Sequence, residues 1–362
     1  MKVGVLCGGG DCPGLNPVIR GVVKALSAGD HEVIGFYCGF KGMLEMNYTV
    51  LTPASVRGIL PKGGTILGTT NRDNPFHYRR EQNGTVCYED VSDVVIEHSR
   101  RLGLDCLIVI GGDGTMAIAH ELAQKGMCII GVPKTIDNDL SATDRTFGFE
   151  TAVDTATDAI DKLHTTAESH HRVMVLELMG RDAGFIALHA GLAGGADVIL
   201  IPEIPFTIDG VLKKIEARKK RGSEFSIVVV AEGAKLDGNR VVSGSNEGNL
   251  IDPEKLGGIG NAIALLLKER GGLETRCTVL GHLQRGGSPS PSDRILSTRY
   301  GVAAAEAALR GEDDVLVCLH HDRVETVPLA DAVRMNKTVD PQGELVRTAR
   351  AVGISFGDDP WE

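Results

Sequence analysis

The chain has 362 residues, of which 42% are hydrophobic and 24% are charged, and its formal net charge at pH 7 is −10. This length and composition are typical of a globular protein with two domains of ordinary size. The acidic balance argues against a general nucleic-acid partner, and no apolar run is long enough to span a membrane, so neither kind of partner is expected.

Apolar, β-branched runs alternate with amphipathic helical patterns almost throughout the chain. Strands are predicted at Val3–Leu6, Glu32–Tyr37, Cys106–Ile110, Met127–Val132, Arg172–Leu178, Val198–Ile201, Phe225–Ala231, Thr275–Leu280 and Val315–Cys318. Helices are predicted at Asn16–Ser27, Val91–Arg101, Met116–Gln124, Phe149–Thr166, Asp182–Gly191, Gly210–Arg221, Gly260–Arg270 and Ser292–Leu309. Strands that alternate with helices of ten or more residues imply βαβ units, so the expected fold class is α/β, with two similar, doubly wound, Rossmann-like domains and largely parallel sheets. The segment Gly233–Asp252 is rich in Gly, Asn, Ser and Asp and is predicted to be a surface loop.

The cysteines and histidines show no spacing typical of metal ligands. Eight cysteines are scattered without a Cys-x-x-Cys pair, which predicts reduced, mostly buried thiols. The adjacent pairs His170-His171 and His320-His321 are interpreted as surface or core-edge residues. Because the chain also opens on the strand-like Lys2–Leu6 without a secretory leader, a cytoplasmic location is expected.

Glycine-rich turns follow two of the predicted strands. Gly8–Asn16 precedes the first helix, and Gly111-Gly112-Asp113-Gly114-Thr115 lies between Cys106–Ile110 and Met116–Gln124. Glycines let backbone N–H groups approach a phosphate, and a helix N-terminus favours negative charge. Asp113 could hold Mg²⁺ bound to such phosphates. The alternatives are tight strand–helix packing for the first turn and a helix N-cap for Asp113.

A polar loop follows the predicted strand Met127–Val132. It contains Lys134, Thr135, Asp137 and Asp139. Open α/β sheets bind ligands at the C-termini of their strands, so this loop offers carboxylates for proton transfer. The alternative is that both aspartates are turn formers.

Further motifs lie at Gly63-Gly64-Thr65, Met179-Gly180-Arg181 and Gly281–Pro289, the last reading GHLQRGGSP. Together with Gly8–Asn16, the GGDGT sequence at 111–115 and the TIDND sequence at 135–139, and in this order, they resemble the phosphofructokinase family. Members of that family phosphorylate fructose 6-phosphate at its 1-hydroxyl. GGDGT alone is weak support, because unrelated kinases of NAD and of lipids carry it, but those kinases lack TIDND and GHLQRGGSP.

The resemblance implies the residues of phosphoryl transfer. Asp137 looks like the general base, Asp139 like its supporting carboxylate, and Arg181 like the residue that stabilises charge on the transferred phosphoryl group. Thr135 belongs to the same catalytic set, and ATP is expected to contact Gly10, Arg72, Gly112, Asp113, Gly114 and Thr115, with Asp113 as a ligand of the cofactor Mg²⁺. The intact Asp113, Asp137 and Arg181 argue against an inactive regulatory subunit.

The resemblance also implies a fructose 6-phosphate site shared between subunits. His282 and Arg285 would contact the 6-phosphate from one subunit, and Arg172 and Arg276 from a neighbour. The full set of expected substrate contacts is Thr135, Asp137, Asp139, Arg172, Met179, Gly180, Arg181, Glu232, Arg276, His282 and Arg285. A homotetramer is therefore the expected assembly.

Two positions bear on the phosphoryl donor, and they disagree. Gly114 resembles ATP-using members, because pyrophosphate users generally carry Asp there, whereas Lys134 matches pyrophosphate users. A carboxylate at position 114 would obstruct and repel the α-phosphate of ATP, but a lysine at 134 adds attraction without excluding either donor. ATP is thus the expected donor, and pyrophosphate is the alternative.

The resemblance assigns separate tasks to two domains. Residues 1–148 together with about 285–323 are expected to bind the phosphoryl donor. Residues from about 149 to 284 together with about 324–362 are expected to bind the sugar phosphate.

Allosteric regulation is a further expectation from the resemblance. Bacterial relatives carry an effector site between subunits, and Arg20 matches one of its arginines. Lys24 and Lys62 stand where relatives have Arg, and Asp197 stands where others have Glu. The identity of the effector stays open.

Overall fold

A computed structural model describes residues 1–82, 85–240, 242–245 and 254–358 of the chain. The chain divides into two compact units. The first unit contains Met1–Thr135, Asp139–Glu150 and Arg285–Asn336, and the second contains Ile136–Asn138, Thr151–Gln284 and Lys337–Glu362.

Strands and helices alternate along much of both units. The strands are β1 (Lys2–Cys7), β2 (Glu32–Phe36), β3 (Tyr48–Leu51), β4 (Tyr78–Gln82), β5 (Thr85–Glu89), β6 (Cys106–Gly111), β7 (Ile129–Pro133), β8 (Val173–Leu178), β9 (Val198–Leu200), β10 (Ser226–Ala231), β11 (Lys235–Leu236), β12 (Asn239–Arg240), β13 (Val242–Ser245), β14 (Glu254–Leu256), β15 (Thr275–Val279), β16 (Val315–His320) and β17 (Arg323–Pro328). The helices are α1 (Leu15–Leu26), α2 (Phe40–Leu44), α3 (Ser92–Leu102), α4 (Asp113–Gln124), α5 (Phe149–His170), α6 (Phe185–Ala193), α7 (Ile208–Lys220), α8 (Ile259–Gly271), α9 (Pro291–Leu309), α10 (Leu329–Val333) and α11 (Glu344–Ala351), and Gly281–Arg285 forms a short 3-10 helix.

The first unit is built on a sheet in the order β17-β16-β7-β6-β1-β2-β3. Its five inner strands are parallel, and β3 and β17 add antiparallel edges. β6 and β7 are buried along their whole length, which explains their continuous apolar sequences. The chain leaves β1 toward β2 on one side and later returns to β6 on the other, so the sheet reverses its winding between β1 and β6.

The second unit contains a parallel sheet in the order β15-β8-β10-β9. β8 and β10 are fully buried, and α7 and α8 pack on this sheet through apolar side chains such as Val211, Ile215 and Ile263. The parallel strands and flanking helices confirm the predicted α/β class with largely parallel sheets.

The structure differs from the sequence prediction in several local elements. α4 begins at Asp113, three residues before the predicted start. The surface loop predicted at Gly233–Asp252 is wrong in part, because β11 and β12 pair antiparallel within it and β13 pairs antiparallel with β14 beyond it. Residues 241 and 246–252 lie outside the described residues. β3, β17 and the β4–β5 hairpin were not predicted, because these short antiparallel strands lack the long apolar runs of buried strands. Within the described residues, no helix combines the length and apolarity that crossing a membrane requires.

Candidate active site

Two glycine-rich turns lie side by side at the winding reversal of the first sheet. β1 and β6 are neighbours in parallel register, so the turns that follow them leave the same edge of the sheet. The Gly8 N–H donates a hydrogen bond to the Ile110 carbonyl oxygen at 2.9 Å, and the Lys134 N–H donates to the Gly111 carbonyl oxygen at 2.8 Å. Such an edge is where open α/β sheets bind their ligands.

The glycines of these turns are required by close contacts with Thr115. A Cβ on Gly8 would lie 2.6 Å from Thr115 Cγ2, and a Cβ on Gly111 would lie 2.3 Å from Thr115 Cβ. Gly9 adopts the left-handed region, with φ of 78°. The buried Thr115 side chain therefore fills the space that larger residues in either turn would need.

Two cationic side chains converge on Gly10. Lys134, only 4% exposed, donates from Nζ to the Gly10 carbonyl oxygen at 2.6 Å. Arg285 donates from one terminal nitrogen to the Asp11 carbonyl oxygen at 3.3 Å, and a Cβ on Gly10 would lie 2.9 Å from that guanidinium. The first turn thus exposes its backbone between two positive charges, an arrangement that favours a bound anion. The family resemblance implies that Arg285 contacts the sugar 6-phosphate, and that role stays a prediction.

The second turn leads directly into α4. Gly112 has an extended conformation and is the residue before the helix, so Asp113 lies in the first helical turn. The interpretation of Asp113 as an N-cap is wrong for this reason. Its half-buried carboxylate lies at the positive end of the helix, and Gly114 follows it within the same turn.

A third segment supports the first turn. Thr69 donates its hydroxyl to the Gly9 carbonyl oxygen at 2.6 Å, and the Gly9 N–H donates to the Thr70 carbonyl oxygen at 3.0 Å. Arg72, predicted to reach the donor, is exposed two residues farther on. The support by Thr69 could not be predicted from sequence, because it depends on a contact across 60 residues of chain.

The carboxylate loop after β7 is buried. Asp137 is 3% exposed and Asp139 is 6% exposed. Asn138 between them has φ of 54°, a left-handed conformation that Asn tolerates better than most residues. Thr146 donates its hydroxyl to the Thr135 carbonyl oxygen at 2.7 Å and so anchors the start of the loop. In the division of the chain, Asp137 belongs to the second unit and Asp139 to the first.

The Met179–Arg181 turn of the second unit is tied to Glu232. β8 and β10 are adjacent and parallel, and these residues follow their C-termini. The Arg181 N–H donates to a Glu232 carboxylate oxygen at 3.1 Å, while Arg181 itself has φ of 51°. A Cβ on Gly180 would lie 2.5 Å from the Ala183 carbonyl oxygen, so this tight turn requires glycine.

Glu232 has an altered acidity. Burial raises the pKa of Glu232 to about 7; the hydrogen bond from the Arg181 N–H opposes this shift, and the negative charge of Asp137 adds to it. The carboxyl group therefore changes its protonation near neutral pH.

Arg172 and Arg276 lie at the other end of the same sheet. Arg172 directly precedes β8, and Arg276 is paired with the second residue of β8. The six residues of β8, about 20 Å at the usual rise per residue, separate Arg172 from the Met179–Arg181 turn. Both arginines form ion pairs with Glu274, at 2.7 and 3.2 Å, and the hydrogen bond from Arg172 lowers the pKa of that carboxyl. The structure brings these two arginines together but not with Arg181.

The sequence interpretation missed two polar residues that hold nearby backbone segments, the half-buried Glu203 and the buried Asn16. Glu203 accepts hydrogen bonds from the N–H groups of Gly184 and Val339 at 2.9 and 2.8 Å, and burial raises the pKa of its carboxyl. The Asn16 side chain bonds to the backbone at Lys62, Gly63 and Ile66. A polar residue at the buried start of an apolar helix was the available signal for Asn16, but its partners are distant in sequence.

Comparisons with known proteins identify related sequences. Residues 2–308 match the sequence profile of a family described as phosphofructokinase. The chain is 51% identical over 363 residues to ATP-dependent 6-phosphofructokinase 2 of Clostridium perfringens, covering 99% of this chain and 98% of that protein. It is 54% identical over 360 residues to ATP-dependent 6-phosphofructokinase of Chloroflexus aggregans, with the same two coverages.

Solved structures show the same fold. Pichia pastoris phosphofructokinase in the T-state superposes with a TM-score of 0.79 at 29% identity, covering 99% of this chain but 37% of that longer chain. A pyrophosphate-dependent phosphofructokinase from Marinobacter aquaeolei superposes with a TM-score of 0.80 at 22% identity, covering 98% of this chain and 92% of that one. At the latter identity the likeness concerns the fold alone.

The raised pKa of Glu232 predicts a pH-dependent difference in stability between the wild type and Glu232→Gln. Below pH 4.5, the ordinary pKa of this group, the carboxyl is protonated in both folded and unfolded states. As pH rises to about 7 the unfolded chain loses this proton and the folded chain keeps it, so the wild type loses stability relative to the variant. The loss should reach at most about 3 kcal/mol and stay constant at higher pH.

Urea unfolding of both proteins from pH 4.5 to 8 measures this difference directly. Other titrating groups are shared by the two proteins and cancel in the comparison, and a lost hydrogen bond adds an offset that does not vary with pH. A difference in unfolding free energy that stays flat across this range would contradict the shifted pKa.

Proposed function

The chain belongs to the phosphofructokinase family, and from this premise we propose that it transfers the terminal phosphoryl group of ATP to the 1-hydroxyl of fructose 6-phosphate. The products are fructose 1,6-bisphosphate and ADP, as in glycolysis. The observation that carries this conclusion is identity above 50% to ATP-dependent 6-phosphofructokinases over nearly the whole length of both chains.

The donor is bound by the two glycine-rich turns. Backbone N–H groups at Gly10 and at Gly112–Thr115 receive its phosphates, and Lys134 adds positive charge beside them. Asp113 fits the role of a Mg²⁺ ligand, because its carboxylate is of the ligand type that this ion prefers and lies at the helix start beside both turns. When bound, Mg²⁺ neutralises charge on the donor phosphates. Arg72 belongs to the same set, and the first unit is thus the donor unit.

The acceptor is bound and activated mainly by residues of the second unit. Asp137 takes the proton of the 1-hydroxyl as the hydroxyl oxygen attacks phosphorus, and Asp139 supports it. Arg181 stabilises charge on the transferred group. The backbone bond from the Arg181 N–H to Glu232 supports this role, since it fixes the turn from which the Arg181 side chain extends. Glu232 accepts hydrogen bonds from the sugar hydroxyls.

ATP as donor is favoured by Gly114. No side chain at this position in the first turn of α4 obstructs the α-phosphate of a nucleotide. Lys134, which resembles pyrophosphate users, makes a hydrogen bond to the Gly10 carbonyl oxygen and therefore helps to shape the phosphate turn whatever the donor. The pyrophosphate alternative is not favoured by the named relatives.

The enzyme is a homotetramer whose sugar-phosphate sites are shared between subunits. The support is the position of Arg172 and Arg276 at the opposite end of β8 from Arg181, which separates them from Arg181 within one subunit. They lie by the exposed edge strand β15, where Val279 is 50% exposed and the nearby Leu283 is 68% exposed. An apolar strand edge of this kind is suited to a subunit contact.

Allosteric control and a cytoplasmic location complete the proposal. Arg20 and Lys24 line a cavity of about 420 Å³ together with Arg57, a cationic surface suited to an anionic effector. Asp197 lines a separate cavity and pairs with Arg218 at 2.6 Å. All eight cysteines are free thiols, which is compatible with a reducing compartment.

Replacing the proposed base tests the mechanism. Asp137→Ser should reduce kcat by at least about 10²–10⁴, because no group then accepts the proton in the transition state. KM for fructose 6-phosphate should change far less, and the exposed Asp209→Ser should behave like the wild type. A coupled steady-state assay provides both constants, and a variant that keeps a tenth or more of kcat would overturn the assignment.

The donor prediction is tested by offering ATP and pyrophosphate separately. Wild-type enzyme should turn over with Mg-ATP and not comparably with pyrophosphate. Gly114→Asp should abolish ATP use, since two unit charges about 4 Å apart at an effective dielectric of about 20 repel by about 4 kcal/mol. Gly114→Ala adds the Cβ without the charge and should retain much more activity. Faster turnover with pyrophosphate than with ATP in the wild type would refute the choice of donor.

Subunit mixing tests the shared sites. Co-expressed Asp137→Ser and Arg172→Ala chains should form hetero-oligomers with more activity than either homo-oligomer, because some sites then contain both native residues. Asp137→Ser with Arg181→Ala is the matched control and should not recover, since both residues would come from the same subunit. An active monomer in sedimentation, or absence of recovery in purified hetero-oligomers, would count against sharing.

A further inference from the structure

Three potential metal ligands lie together on the β16–β17 hairpin at the edge of the first sheet. Cys318 and His320 are two residues apart on β16, so their side chains are on the same face of the strand. The antiparallel register places Glu325 of β17 directly opposite Cys318. The thiol, imidazole and carboxylate ligand atoms all lie within 4.8 Å of one another.

The separations between these atoms are close to those that one bound ion would impose. Cys318 Sγ is 3.9 Å from His320 Nδ1, and His320 Nδ1 is 2.7 Å from a Glu325 carboxylate oxygen. Ligand distances of about 2.0–2.3 Å in a tetrahedral zinc site put neighbouring ligand atoms roughly 3–4 Å apart. A small increase in the His320–Glu325 separation is therefore the main adjustment that the hairpin must make.

The electrostatic surroundings favour a cation. The carboxylates of Glu325 and Asp144 place negative charge near the Cys318 thiol. Arg299 forms an ion pair with Asp322 at 3.1 Å, so its positive charge is balanced by that carboxylate and not by Glu325. A divalent cation would compensate both the thiolate and the carboxylate.

We propose that Cys318, His320 and Glu325 bind a divalent cation of the zinc class, with water as the fourth ligand. The sulfur and nitrogen donors suit Zn²⁺ and its analogue Co²⁺ and disfavour Mg²⁺, which prefers oxygen ligands. This site is therefore separate in chemistry from the Mg²⁺ that accompanies ATP.

Binding changes the protonation of the cluster in a defined way. The Cys318 thiol releases its proton to solvent and coordinates as thiolate. The neutral His320 ring coordinates through Nδ1, so its proton resides on Nε2 and the hydrogen bond to Glu325 is replaced by two bonds to the ion. The His320 and Glu325 side chains are 34% and 53% exposed, so the ion reaches the buried sulfur from their side.

Metal titration of the full-length protein tests the proposal. Chelator-treated protein in excess Mg²⁺ is titrated with Co²⁺, and thiolate-to-cobalt charge-transfer absorption should appear with one ion per chain. Zn²⁺ should displace the Co²⁺ and raise Tm. Cys318→Ser should abolish the charge-transfer absorption, and Glu325→Gln should weaken Co²⁺ binding at least about tenfold.

Two controls separate this site from nonspecific binding. His321→Asn removes the adjacent exposed histidine, and Cys87→Ser removes a thiol from another hairpin; both variants should bind Co²⁺ like the wild type. If Cys318→Ser does not fold, the exposed Glu325→Gln still tests the carboxylate ligand. Absence of the absorption in the wild type, or unchanged affinity in Glu325→Gln, would overturn the proposal.

Discussion

The parallel pairing of β1 with β6 determines how the first unit can hold a phosphate. It places two turns so close that the Gly8 N–H reaches the Ile110 carbonyl oxygen, and Thr115 occupies the remaining space between them. The glycines Gly8 and Gly111, one in each turn, are consequently explained by the space that Thr115 of the second turn occupies, not by local flexibility alone. With side chains excluded, the exposed groups are backbone amides, and Lys134 and Arg285 bring positive charge to the same place.

In the second unit, two groups of charged residues lie at opposite ends of strand β8. At the C-terminal ends of β8 and β10, the half-buried Glu232 carboxylate, whose pKa is raised, accepts a hydrogen bond from the Arg181 N–H. At the opposite end, Arg172 and Arg276 share the exposed Glu274. An anionic ligand that takes up these two arginines must compete with that carboxylate, so the ion pairs hold the guanidinium groups in place at the cost of some affinity.

Strands buried on both faces were the most predictable part of the fold, because they appear as continuous apolar runs, as in β6, β7 and β10. The start of α4 was missed because glycine and aspartate, poor helix formers, occupy its first turn. The motif residues of the site could be named from sequence, but their contacts could not. The approach of Arg285 to Asp11 spans 274 residues, and the Cys318–Glu325 pairing depends on hairpin register, which no spacing rule describes.

The way in which the chain alternates between its two units limits how the protein can be divided into fragments. Its segments alternate between the units as 1–135, 136–138, 139–150, 151–284, 285–336 and 337–362, so six segments make five crossings. No single proteolytic cut or gene truncation can therefore release one unit as an intact module. Asp137 itself lies on the shortest of these segments, three residues that join the second unit while both flanking segments belong to the first. Because the two units alternate along the chain, recombination between relatives would keep both units intact only if it exchanged nearly the whole gene. We therefore expect the two units to be inherited together.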